Sequence, residues 1–140
     1  MKKNTLKSSL AVIAGFVAIV ILSTVTDVVM EKSGIFPGFE DQTWAGMFIW
    51  WMLLIALFYR IVYSVAGCYL TARLAPNRPM RHAMILGIVG VVVSTAGTIA
   101  MWDKSSHWYP ISLILVSLPC AWHGGWLFAR SHNGTAEPSR

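Results

Sequence analysis

Arg60 lies deep inside an apolar stretch of the chain that runs from about Trp51 to Leu74. A charged side chain at the centre of a bilayer costs at least ~2.5 kcal/mol, so an arginine at this depth needs a polar partner. Small and polar residues continue its face at helical spacing or flank it: Ser64, Gly67 and Thr71, with Tyr63 beside it. This pattern predicts a polar seam that points into a helix bundle.

Asp27 is the predicted partner of Arg60. Asp27 follows Lys7 by twenty residues, and Arg60 precedes Leu74 by fourteen. At 1.5 Å per residue the two depths differ by ~9 Å, which a long arginine side chain can span. Glu31, nearer the outer surface, is a competing partner. Two interpretations stay open, namely an ion pair that fixes helix packing and a gated ion or substrate site.

Three further residues carry ligand chemistry, namely Cys68, Cys120 and His123. Cys120 and His123 are three residues apart, which predicts a shared helical face. Thiolate and imidazole bind zinc, copper or haem iron, but CxxC, HExxH and a neighbouring carboxylate are missing. We therefore favour buried thiols and a histidine at a helix contact over a metal or haem site, and we expect no cofactor.

Enzymatic signatures are also missing. The sequence contains no P-loop, no GxGxxG, no GxSxG and no paired carboxylates at membrane depth. The basic residues do not form a clustered, aromatic-rich surface for nucleic acid. We therefore expect a non-enzymatic protein that binds no nucleic acid.

The element that holds Arg60 is one of four apolar stretches, each long enough to cross a bilayer core of ~30 Å. They cover residues 9–29, 51–74, 82–102 and 108–129 approximately. The chain is 56% hydrophobic and 12% charged, against roughly 25% charged for soluble domains. Backbone groups in lipid must be satisfied internally, which favours helices. We predict an all-α membrane protein, an antiparallel four-helix bundle over residues 1–130, and a flexible cytoplasmic tail over 131–140.

Loop charges alternate and predict the orientation. Arg60 lies inside a span and is not a loop charge. Of the other basic residues, eight lie on one side of the predicted membrane: Lys2, Lys3, Lys7, Arg73, Arg78, Arg81, Arg130 and Arg140. Only Lys32 and Lys104 lie on the other. The positive-inside rule then places both termini in the cytoplasm. Aromatic residues near the predicted outer boundary agree with this orientation: Trp44, Trp50, Trp51, Trp102, Trp108 and Tyr109.

The first stretch has a rival interpretation. A basic start followed by an apolar run is also typical of a cleavable signal peptide. Here the apolar run continues through Val25, Val28 and Val29, and no A-x-A-like site follows. We therefore expect an uncleaved span.

Small residues mark a predicted helix contact in the third stretch. They recur at spacings of three and four: Ala83, Gly87, Gly90, Ser94 and Gly97. Transmembrane helices associate through close packing of small residues, so this stripe predicts a central contact surface. A water or substrate path along the glycines is the alternative.

Two segments carry a resemblance. They are YRIVYSVAGCYLTARLAPNRPMRHAMILGIVG, from Tyr59 to Gly90, and HWYPISLILVSLPCAWHGGW, from His107 to Trp126. They resemble a group of small uncharacterised bacterial inner-membrane proteins of four predicted spans. The resemblance implies a multi-pass protein of the bacterial inner membrane, and that group has no assigned activity to transfer.

Two functional hypotheses follow from these patterns. The first is a non-enzymatic membrane protein that acts by helix packing with itself or with a membrane-protein partner, in the lipid bilayer. The second is a small oligomeric transporter or channel that uses the seam of Arg60 and Asp27.

Overall fold

The computed structural model describes residues 2–36, 49–100, 102–104 and 106–133. Of these residues 91% are helical and none is in a strand. The helices are α1 (Lys2–Lys32), α2 (Trp50–Leu74), α3 (Pro79–Ala100) and α4 (Trp108–Asn133), with a short 3₁₀ turn at Trp102–Lys104. All four α-helices are long and apolar enough to cross a membrane. The predicted all-α class is confirmed, and one long apolar helix lies at each of the four predicted stretches.

Helix ends differ from the predicted spans where polar residues continue the helical backbone. α1 begins at Lys2, because lysine and leucine are good helix formers outside the apolar core. α4 ends at Asn133, three residues into the predicted tail, and α3 ends at Ala100. Residues 37–43 of the predicted outer loop, Trp44 and residues 134–140 of the tail lie outside the described residues.

The α2–α3 turn has a simple local cause. Ala75 is extended, with φ −66° and ψ 129°, because a residue that precedes proline avoids the helical region. Pro79 then begins α3, where its missing N–H is not needed. The end of the bundle that contains this turn is called the turn end below.

α1 packs on α2 through two glycines. A Cβ atom added to Gly15 would lie 2.7 Å from the carbonyl oxygen of Gly67, so the two backbones are nearly in contact. Near the turn end, the Thr71 hydroxyl donates a hydrogen bond of 3.3 Å to the carbonyl of Ala11. These contacts pair the early part of α1 with the late part of α2.

α4 lies against both α2 and α3. A Cβ atom on Gly124 would lie 2.6 Å from the carbonyl oxygen of Val65 in α2. A Cβ atom on Gly87 of α3 would lie 2.4 Å from the Cβ of Ala121 in α4. Glycine and alanine thus allow the close helix approach that membrane bundles need.

Two buried clusters hold the bundle. The cluster nearer the turn end joins α2, α3 and α4: Cys68, Ala72, Ala83, Leu86, Ala121 and Phe128. The cluster at the opposite end joins α2 and α4: Leu53, Ala56, Tyr59 and Tyr109. The bundle interior between these clusters contains the candidate site.

Candidate functional site

The Asp27–Arg60 pair links α1 to α2. Nη2 of Arg60 donates a hydrogen bond of 2.9 Å to Oδ2 of Asp27. The two side chains are 36% and 39% exposed in the isolated chain, so the pair is only partly covered by protein. The ion pair is thus with Asp27, the predicted partner of Arg60.

Two tyrosines complete the surroundings of the pair. The hydroxyl of Tyr59 donates to Oδ1 of Asp27. The hydroxyl of Tyr109, at the start of α4, lies close enough to Arg60 and Asp27 to interact electrostatically with both, and it is within hydrogen-bonding reach of the Arg60 guanidinium. Tyr59 and Tyr109 are both buried and belong to one cluster. Three helices therefore converge on one charge pair.

Tyr63, predicted beside Arg60, makes a separate contact between α1 and α2. Its hydroxyl and the Thr26 hydroxyl share a hydrogen bond of 2.7 Å. Thr26 donates its own proton to the carbonyl of Leu22 at 2.9 Å, so Tyr63 is the donor to Thr26. This bond closes the bundle beside the ion pair.

Removal of the Tyr63 hydroxyl has a modest expected effect. Tyr63→Phe should lower the free energy of unfolding by about 0.6 kcal/mol, the average for hydrogen bonds between membrane helices. Reversible unfolding in mixed micelles measures this change. Tyr69→Phe is the matched control, because Tyr69 packs edge-on against Phe128 and its hydroxyl has no hydrogen bond among the described residues. An equal loss of unfolding free energy in both variants would contradict the hydrogen bond between Tyr63 and Thr26.

A partly open cavity of about 250 Å³ lies beside the charge pair. All four helices line it. Its polar lining consists of the ion pair, Thr24 and four serines, one from each helix: Ser23, Ser64, Ser94 and Ser117. Ser117 donates to the carbonyl of Leu113 in its own helix, at 2.7 Å. The other three serine hydroxyls have no hydrogen bond among the described residues, so they are free to bind a ligand.

Arg60 also retains an unused donor. Its Nε is buried and has no hydrogen-bond partner in the described part of the chain. An unsatisfied polar group in a bilayer costs several kcal/mol, so an acceptor at this position is favourable. Arg60 lines the cavity with its side chain, while Nε itself has almost no accessible surface.

The predicted seam divides into a cavity part and a packing part. Arg60, Asp27 and Ser64 line the cavity. Thr71 does not: it is fully buried near the turn end, where it bonds to Ala11. The seam is interrupted because α1 crosses the α2 face at Gly67, where the two backbones meet.

The predicted stripe on α3 also has different neighbours along its length. Ala83 and Gly87 are buried in the helix contact, as a packing surface requires. Gly90 and Ser94 line the cavity. A Cβ atom on Gly97 would meet nothing within 4 Å among the described residues. Only the half near the turn end is packed, and the cavity occupies the middle of the stripe.

The structure separates the candidate metal ligands. Cys68 and Cys120 are buried free thiols, but His123 is exposed and its ring lies beside Trp126, with 5.6 Å between centroids. Residues three apart on an α-helix differ by about 60° in direction, which is enough to place Cys120 inside and His123 outside. The predicted shared face is therefore wrong. Among the described residues, no group of three potential ligands is placed to hold a metal.

Sequence reasoning missed several members of the site, namely Thr24, Tyr59, Tyr109 and Ser117. Tyr109 was assigned to the outer aromatic belt, but it is buried against the α2 cluster. Ser117 was not singled out. A signal existed for Tyr59, which adjoins Arg60 in the chain and reaches the same carboxylate. Trp50, Trp51, Trp102 and Trp108 are exposed, as lipid-facing belt residues would be.

No protein-family model, curated protein or solved structure matches this chain.

Proposed function

We propose that this chain is a non-enzymatic multi-pass protein of the bacterial inner membrane that binds a small charged or zwitterionic group at the Asp27–Arg60 pair. The observation that carries the proposal is a cavity in which that pair and one serine from each helix face the same space. A bundle that serves only as a packed scaffold has no need of a polar cavity. A carrier that takes up a solute from one side of the membrane needs such a cavity to bind the solute.

The proposed orientation places both termini and the turn end in the cytoplasm, with the helices antiparallel. Contacts support the antiparallel order, since Ala11 meets Thr71 while Asp27 meets Arg60. The basic loop residues support the orientation through the positive-inside rule. The proposed bacterial inner-membrane location depends on the resemblance to small four-span proteins. Tight contacts of Gly15 with α2 support α1 as a permanent span of the bundle.

Closure of the cavity toward the cytoplasm supports a carrier more than a channel. The cluster around Cys68 and Leu86 fills the bundle on the side of the turn end. The charge pair lies on the opposite side, five residues before the end of α1. A site that is closed on one side has the geometry that alternating access requires.

A cavity-filling variant tests the proposal. A Cβ atom on Gly90 would make only ordinary contacts, 3.6 Å from Oγ of Ser117, so α3 tolerates a side chain there. Gly90→Leu should place the remaining atoms of the new side chain in the cavity and abolish binding. Gly97→Leu is the matched control on the same helix, because the space around Gly97 is open.

The measurement is the thermal unfolding of purified protein with a panel of soluble anions, cations, zwitterions and single-chain amphiphiles. A ligand at 100 times its Kd stabilises the folded state by about 2.7 kcal/mol. We expect at least one compound to stabilise the wild type and Gly97→Leu but not Gly90→Leu. A panel with no such compound would contradict the proposal.

Association with a second copy or a membrane partner is the second candidate. The outer half of the α3 stripe favours it, because Gly97 meets no other part of the described chain and Ile99 is 74% exposed. Other small residues are already used inside the chain, as at Gly15 and Gly124. Native mass spectrometry from lipid tests this candidate, and a strictly solitary chain would count against it.

A further inference from the structure

We propose that the ligand is a single-chain amphiphile with a phosphate–ammonium headgroup, which enters from the outer leaflet between α1 and α3. This inference rests on the proposed function and names the ligand class of the same cavity. Four features of the cavity support it: the position of its mouth, its change in polarity from end to end, the charge pair in its lining, and its volume.

The mouth of the cavity lies at the α1–α3 side of the bundle. Val20 of α1 and Val93 of α3 both line the cavity, and they are 45% and 48% exposed. Near the turn end the same two helices do meet, since Leu86 lies 3.0 Å from a Cβ atom added to Gly15. The helices therefore close over the inner part and leave an opening farther out. Val20 lies twelve residues before the end of α1, or ~18 Å, so the opening faces hydrocarbon.

Polarity changes along the cavity. Asp27 and Arg60 lie toward the proposed outer surface, whereas Phe16, Cys68 and Leu86 line the inner part. A lipid in the outer leaflet has the same order, with its headgroup outward and its chain toward the bilayer centre. An amphiphile can enter such a site sideways without turning over.

The headgroup chemistry follows from the unused hydrogen-bonding groups. Arginine has five N–H donors in a planar fork that matches phosphate oxygens. Nη2 donates to Asp27, and the hydroxyls of Tyr59 and Tyr109 also lie within reach of the guanidinium, which leaves part of the fork for a phosphate. The Asp27 carboxylate has acceptor positions beyond the one that Tyr59 occupies, and these suit an ammonium group. Because the pair is neutral overall, a zwitterion leaves no net charge buried in the membrane.

The cavity volume limits the ligand to one chain. About 250 Å³ is below the usual ~300–1,000 Å³ of small-molecule pockets. A headgroup and part of a single acyl chain match this space better than a two-chain lipid, and the rest of the chain can extend through the mouth into the bilayer.

The experiment is equilibrium binding to the full chain in nanodiscs, read by native mass spectrometry. The probe is lysophosphatidylethanolamine. Glycerophosphoethanolamine presents the same headgroup without a chain, and lysophosphatidylglycerol presents the same chain with an anionic headgroup. We expect one lysophosphatidylethanolamine per chain in the wild type and in Gly97→Leu. Binding should be at least about tenfold weaker, a difference of ~1.4 kcal/mol, for both other probes and for Gly90→Leu.

Four other outcomes of this experiment would overturn the amphiphile inference, its headgroup or both proposals. If glycerophosphoethanolamine binds as tightly as the lysolipid and Gly90→Leu blocks it, the amphiphile inference is overturned while the proposed function stands. If lysophosphatidylglycerol binds equally, the headgroup assignment is overturned. If Gly90→Leu and Gly97→Leu bind every probe like the wild type, both proposals fail. If the wild type is dimeric and excludes all probes, a second copy covers the mouth and the inference is overturned.

Discussion

Arg60→Gln is expected to lower the free energy of unfolding by about 3 kcal/mol, because it leaves the Asp27 carboxylate without its cation inside the membrane. Loss of one partner of a buried ion pair costs ~3–5 kcal/mol. The lower end applies here, since the Arg60 and Asp27 side chains are 36% and 39% exposed. Asp27→Asn should cost a similar amount, because it strands the guanidinium. Reversible unfolding in mixed micelles or steric trapping in bicelles measures both variants.

The double variant Asp27→Asn/Arg60→Gln separates the charge from the fold. It removes both charges while keeping hydrogen-bonding side chains of similar size, so it should recover most of the loss. Arg73→Gln makes the same chemical change at an exposed position near the end of α2 and should shift stability by less than about 0.5 kcal/mol. A double variant as unstable as the sum of the single variants would contradict a direct interaction.

Gly124→Ala is the second large effect that we expect. The added Cβ atom would lie 2.6 Å from the Val65 carbonyl oxygen, 2.7 Å from Cβ of Cys68 and 2.9 Å from the backbone nitrogen of Tyr69. Two of these atoms belong to the backbone of α2 and cannot move away by a rotamer change. Overpacking in well-packed cores costs about 1–3 kcal/mol, and the backbone contacts place this variant at the upper end.

Gly97→Ala is the control for this substitution. The added Cβ atom meets no atom of the described part of the chain within 4 Å, and alanine is favoured over glycine inside helices by about 0.5–1 kcal/mol. We therefore expect Gly97→Ala to be neutral or slightly stabilising in the same unfolding assay. The packing of α4 on α2 would be wrong if Gly124→Ala were equally harmless.

Properties that depend on position along a single helix could be predicted from the sequence. Four long apolar runs give four helices, and Pro76 ends α2 at Leu74. The rise per residue alone predicts similar depths for Asp27 and Arg60, and the two side chains are in contact. Such properties need no knowledge of how the helices are arranged.

Properties that depend on the arrangement of several helices could not be predicted. Helical spacing placed Thr71 on the Arg60 face, but the close approach of α1 at Gly67 separates them. The cavity exists because α1 meets α3 near Leu86 and leaves it farther out. Tyr109 looked like a belt residue because its place in the chain is at a span end, yet the packing of α4 on α2 buries it.

The proposed binding site requires that the charge pair faces an accessible cavity rather than a closed helix contact. Cysteine accessibility tests it most directly, in protein from which Cys68 and Cys120 have been replaced by alanine. Ser94→Cys places a thiol in the cavity, and Leu115→Cys places one on α4 at a site that is 69% exposed and faces lipid in the proposed bundle. N-ethylmaleimide, a small neutral reagent that can enter through water or through lipid, is added to the reconstituted protein.

Because the thiolate is the reacting form and needs a hydrated site, Ser94→Cys should react at least about tenfold faster than Leu115→Cys. Saturating lysophosphatidylethanolamine should slow the reaction at Ser94→Cys alone. Equal and negligible rates at both positions would show that the space beside Asp27 and Arg60 is closed and dry, and would contradict the account.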